Sequence, residues 1–196
     1  MKRFAYLLVL ALCAGVTGCT INHPIDKDYA AYLANNQGES ALPKAQGPAD
    51  YLLAPATETH HYEFRSALVG HANLWIVDFG KLLDMTLASQ DVQQAFEGLK
   101  RHDGASSSAP VLRFELMQYR FEDFRAYVTL NVEVASAGQQ LFSKTYQVEG
   151  KSQGGKMFWG GAFAMKNAVQ QSTKLAMDEI LRNFIRDFNQ LKLAQN

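Results

Sequence analysis

Residues 150–157 read Gly-Lys-Ser-Gln-Gly-Gly-Lys-Met, and two reactive patterns run through them. Gly150 to Lys156 fits G-x-x-x-x-G-K, in which loop amides and a lysine cradle nucleotide phosphates, but Met157 stands where a hydroxyl should hold magnesium. Gly150 to Gly154 fits G-x-S-x-G, which presents a serine nucleophile on a strand-to-helix turn. That fold places its base histidine after the serine, whereas His23, His60, His61, His71 and His102 all precede Ser152. The next helix should begin only near Ala162, too late for either pattern, so the segment reads as a glycine loop and no nucleotide partner is expected. His60, His61 and His71 offer imidazoles, yet adjacent strand residues point to opposite faces and no Cys or close carboxylate completes a set. No metal or other cofactor is expected. Glu122-Asp123 and Asp178-Glu179 read as solvated charge, with nothing placing two carboxylates across a cleft. Met157, Phe158 and Trp159 put three large apolar side chains beside the glycines. They either pack back onto the core or form a contact loop for a partner or for lipid, as exposed apolar patches do.

The one cysteine with a clear chemical setting is Cys19. Lys2 and Arg3 precede an apolar run from Phe4 to Ala14, which ends in Val16-Thr17-Gly18-Cys19. A charged start, a short apolar run and a small-residue exit make residues 1–18 a secretory signal peptide. The run is too short to cross the hydrocarbon core as a helix, which takes about 20 residues. A cysteine at this point resembles the bacterial lipobox, well matched at Gly18 and Cys19, with Val16 where Leu is more usual. The resemblance implies cleavage before Cys19 and fatty acylation of its thiol and amine, with chains such as palmitate. Thr20 in place of Asp then implies the periplasmic face of the outer membrane. Several chains, at about 0.8 kcal/mol per buried CH2, anchor far more firmly than one. Cys13 leaves with the signal, so the mature chain has no pair for a disulfide.

Positioning such an anchor and its cargo is the task of the remaining residues. The 196-residue chain is 47% apolar and 19% charged, inside the globular range and against a disordered or multi-span chain. Nineteen basic side chains match nineteen acidic ones, so the excess that binding to nucleic acid needs is missing. Loss of Lys2 and Arg3 leaves 17 basic side chains against 19 acidic, a formal charge of −2. Residues 19–57 hold four of the five prolines and read as a lipidated N-terminus and tether of about 30 Å reach. Within them, Asp26 to Leu33 has the spacing of two helical turns, and Tyr51-Leu52-Leu53 that of a short docked strand.

Residues 58–196 read as a single domain. Tyr62, Phe64, Ser66 and Leu68 alternate with polar residues as a half-buried strand up to Gly70, and Leu74 to Phe79 is a second strand closed by Gly80. A helix of about 20 residues follows, broken near Ser89 or Asp91. Val111 to Phe121, Ala126 to Val134 and Leu141 to Glu149 are three strands joined by tight turns, an antiparallel meander. Met165, Val169, Ala176, Ile180, Phe184 and Phe188 form the apolar stripe of a helix from Ala162 to Leu191, widened by Met177, Leu181 and Ile185. This order predicts an α+β two-layer sandwich in which the meander sheet is packed by a long C-terminal helix and a shorter middle helix.

Over residues 58–190 this pattern resembles YajG-type lipoproteins and the auxiliary lipoproteins of ABC-type lipid-transport systems. In both, a strand pair runs into a helix, then a meander with a glycine in its hairpin, here Gly138, then an alanine-bearing helix like Ala164 to Phe188. His60-His61 depart from both, and Tyr51 to Pro55 matches the transport auxiliaries only loosely. The resemblance carries over no catalytic residue and implies a non-catalytic anchored module, whose partners are the membrane through Cys19 and an envelope protein or a second copy. The sheet edge or the Met157 to Trp159 loop would meet that partner. Carriage of lipid in a cleft between helix and sheet is the second expectation, and an envelope hydrolase using Ser152 the third.

Overall fold

A computed structural model of the chain describes residues 19–38, 41–104, 108–152 and 157–195. The first element, β1 (Ile21–Pro24), starts two residues after Cys19, with a proline tolerated at its end because it lies on a sheet edge. A short turn leads to α1 (Tyr29–Asn35), whose buried Tyr29 and Leu33 lie one helical turn apart. Next come β2 (Asp50–Leu53), with Tyr51 and Leu53 buried, and the single turn α2 (Pro55–Glu58), with proline at its first position. The tether reading therefore gives way: Ile25, Tyr29, Leu33, Ala45, Ala49, Tyr51 and Leu53 all belong to the core. Proline-rich composition reports poor local propensity, and here tertiary burial of spaced apolar residues overrides it.

Strands β3 (His61–Phe64) and β4 (Asn73–Asp78) are antiparallel, and β1 adds to β4 in parallel, giving a three-stranded sheet of order β1-β4-β3. The expected first strand is shorter than its alternation suggested. It stops at Phe64, and Leu68 lies in a one-turn 3-10 helix (Ala67–Val69) facing water. The middle helix is two helices, α3 (Phe79–Leu87) and α4 (Gln90–Phe96), with Ser89 at the N-cap position of the second. Gly80 lies inside α3 and does not close the strand.

The second sheet has the order β5-β2-β6-β7-β8, with β5 (Lys100–Arg101), β6 (Val111–Glu122), β7 (Arg125–Ser136) and β8 (Gln139–Lys151). Strands β6, β7 and β8 are the expected meander, while β2 joins β6 in parallel and widens it. Both hairpin turns hold two residues with positive φ, Asp123-Phe124 and Ala137-Gly138, as the twist of two-residue hairpins demands. A bulge between Leu116 and Gln118 shifts the register of β6. Because side chains alternate, that one extra residue lets Leu112 and Phe114 before it and Tyr119 and Phe121 after it face the same core.

Across that face runs α5 (Met157–Gln195), broken at Gly161 (φ 53°, ψ −137°). All nine residues of its anticipated stripe are buried, against Val128, Leu130, Val132 and Val134 of β7 among others. The opposite face of the meander is polar, with Arg113 paired to Glu115 (3.0 Å) and Glu133 (3.1 Å). The architecture is α+β, sheet packed by helix, with the long C-terminal helix as its cover. Among the described residues, no helix is long and apolar enough to cross a membrane.

Candidate functional site

Cys19 is exposed at the point where the chain enters the fold. Directly after it, the Thr20 hydroxyl accepts a hydrogen bond from Arg65 (3.2 Å), and the Ile21 amide donates to the Ala72 carbonyl (2.8 Å). Arg65 also donates to the His71 carbonyl at 2.5 Å, which ties the loop between β3 and β4 to the same place. His23 on β1 hydrogen-bonds Asn73 (2.7 Å) and stacks on Trp75, ring centroids 5.4 Å apart. The backbone is thus held from Thr20 onward, and no long spacer separates Cys19 from the domain.

Several elements meet at this end. The β6–β7 turn at Asp123-Phe124 lies here, and the Ser152 hydroxyl donates to the Phe124 carbonyl at 2.6 Å, fastening the end of β8 to it. Phe64, Ala67, Leu68, Phe121, Phe124 and Met165 line a shallow cleft of about 310 Å³, which brings the start of α5 to the same end. Leu68 in its wall is 76% exposed; Ile21, next to the Thr20 that Arg65 holds, is 52% exposed, and Phe163, near the start of α5, is 83% exposed. They are three of the four large apolar side chains that stand exposed among the described residues, the fourth being Met117 (61%) on the β6 bulge. Charge here is mixed: Arg65 and Asp123 line the same cleft, with Arg120 paired to Glu122 and Arg125 to Glu149.

The other sequence-stretch candidates have structural work. Ser152 holds the Phe124 turn, and its hydroxyl is directed at that carbonyl. Gly150 owes its identity to packing: a Cβ there would lie 1.8 Å from the Ser172 carbonyl of α5, so the helix backbone crosses β8 where only hydrogen fits. Further along the same crossing, Phe114, Tyr146, Phe184 and Phe188 pack between helix and sheet, while the cleft beside Met165 stays open. The backbone of Met157, Phe158 and Trp159 opens α5 ahead of the break at Gly161, where a loop was expected; their side chains and Lys156 lie outside the described residues.

The adjacent histidines diverge as strand geometry requires. His61 is exposed and hydrogen-bonded to Asp78 (2.7 Å) and Glu63 (2.9 Å), whose carboxylates raise its pKa above the ordinary value. Burial, with the neighbouring His61 charge, lowers that of His60, which packs edge-on against Phe79 and Tyr119. No group of three His, Cys, Asp or Glu side chains suited to a metal ion occurs among the described residues.

A second cleft, of about 270 Å³, opens between α1, α3 and α5, with Ala30, Leu33, Met85 and Ala88 on its walls. Lys174 and Asp178 line it as an ion pair of 2.5 Å, both buried. Nothing in the sequence announced this pair, because Asp178 reads with Glu179 as surface charge and only the helix rotation shows it inward.

No family model matches the chain, and no curated protein matches it. Among solved structures, it is similar to a Xanthomonas campestris protein assigned to the family DUF330, at 15% identity, 80% of this chain, 92% of that one and a TM-score of 0.49. A hypothetical protein of Chlamydia trachomatis follows, at 12% identity, 74% and 96% coverage and a TM-score of 0.43. A Caulobacter crescentus chain described as a candidate lipoprotein is similar at 12% identity, 88% and 97% coverage and a TM-score of 0.39.

Proposed function

We propose that the protein is a non-catalytic lipoprotein, acylated on Cys19, anchored at the periplasmic face of the outer membrane, and built to hold an envelope protein partner. The observation that carries this reading is the placement of Cys19: exposed, preceded by a lipobox-like stretch, and two residues from the first strand of the fold. Support also comes from the residues with catalytic potential, since Ser152 is bonded to a backbone carbonyl and His60 and His61 point apart. The partner surface in this reading is β8, the thirteen-residue strand at the edge of the larger sheet, whose outer row of backbone groups suits strand addition.

The test is metabolic labelling with an alkyne-bearing palmitate, followed by separation of inner and outer membranes. The wild-type chain should carry the label in the outer-membrane fraction, and Cys19→Ala should carry none and leave the membrane. An unlabelled wild-type chain, or a label untouched by Cys19→Ala, overturns the anchor. Crosslinking from β8 in the same envelopes should capture a protein, and its absence overturns the partner assignment.

A further inference from the structure

We infer that the end of the domain around Cys19 lies directly on the bilayer surface, with Ile21, Leu68 and Phe163 seated among the lipid headgroups. This deepens the reading above and rests on it for the occupant, because only an anchor at Cys19 makes the patch face lipid. Two residues of fully extended chain reach about 7 Å at most. With Ile21 fixed to Ala72 and Thr20 to Arg65, a lipid on Cys19 therefore brings the membrane surface to the loop around Leu68. The start of α5 packs against the Ala67–Val69 turn, where Met165 shares the cleft wall with Leu68, and Phe163 stands two residues ahead of Met165 on the side of that helix turned to solvent.

The chemistry of this end suits a membrane interface better than water. Three large apolar side chains project from three separate elements, and Arg65 lines the cleft beside Leu68. Glu122 and Asp123 at the same end oppose a purely electrostatic attachment, so the contact depends on apolar insertion. Met117 supplies a control within the molecule. It is also apolar and exposed, but it lies six residues back along β6 from Asp123 of the turn, roughly 20 Å at 3.4 Å per residue.

The experiment couples the mature chain, residues 19–196, through its single thiol at Cys19 to vesicles of phosphatidylethanolamine and phosphatidylglycerol that carry a maleimide-headgroup lipid. The anchor is thereby supplied chemically, and the outcome is independent of whether cells acylate Cys19. A photo-crosslinking benzoylphenylalanine replaces Leu68, Phe163 or Met117 in turn. Positions 68 and 163 should yield about tenfold more lipid adduct than position 117, as expected for side chains at the headgroup boundary. Leu68→Asp should reduce the adduct at 163 while leaving the circular dichroism spectrum unchanged. Equal adduct at all three positions overturns the inference, as does crosslinking of positions 68 and 163 to a second copy of the chain in place of lipid. Failure of Cys19 acylation in cells, by contrast, removes the functional proposal and leaves this surface measurement standing.

Discussion

Lys174 and Asp178 sit one helical turn apart on α5, both buried at the floor of a cleft, and form an ion pair. Removing one partner of such a pair leaves an uncompensated buried charge, whereas replacing both with apolar residues of similar volume is often neutral. Lys174→Met should therefore lower stability by about 3 kcal/mol, and Lys174→Met with Asp178→Leu should restore most of it. Urea unfolding followed by the fluorescence of buried Trp75 measures both. Two single variants and a double variant with additive losses would show that the pair is not coupled. A second residue-scale device is Phe124, a bulky side chain at φ 59°, uncommon for any residue but glycine or asparagine. The hydrogen bond from Ser152 to its carbonyl helps hold that conformation, which is the work of the serine that resembled a nucleophile.

Among the elements, the meander and the C-terminal helix were readable because their periods are long and regular. Five alternating apolar positions from Ala126 to Val134, and nine stripe residues from Met165 to Phe188, average out local exceptions. The strands β1, β2 and β5 hold four, four and two residues, too short for any period to emerge, and their parallel partners lie far along the chain. For the same reason the site was half legible. Cys19 was marked by its local setting, while Leu68 was placed in a strand interior and the approach of α5 to the turn that carries it depends wholly on tertiary contacts. The helix crossing at Gly150 yields a sharp test. Alanine there must displace the α5 backbone at Ser172, an overpacking that should cost about 3 kcal/mol. Its urea midpoint should fall well below that of Gly138→Ala, where a Cβ meets nothing within 4 Å and only the positive φ is penalised.

For the whole molecule, the N-terminal segment is part of the fold and not a leash. A chain beginning at Glu58 lacks β1, α1 and β2, and with them Ile25, Tyr29, Leu33, Tyr51 and Leu53 from the core. It should stay insoluble or bind apolar dyes without a cooperative urea transition, while residues 19–196 unfold in one step. Coincident transitions for the two chains would restore the tether. The two ends of the chain are also stitched together. Gln170 donates to the Ile25 carbonyl, Lys166 pairs with Asp28 at 2.8 Å, and Asn189 donates to the Lys44 carbonyl across 145 residues of sequence. A chain made from its N-terminus therefore emerges head first, before its partners in the fold exist. Its first strand waits for β4, the contacts of Ile25, Asp28 and Lys44 wait for the helix made last, and long-range closure of this kind is slow. During that interval the residues around Cys19 hang open, and the arrival of the tail locks the head of the chain into place.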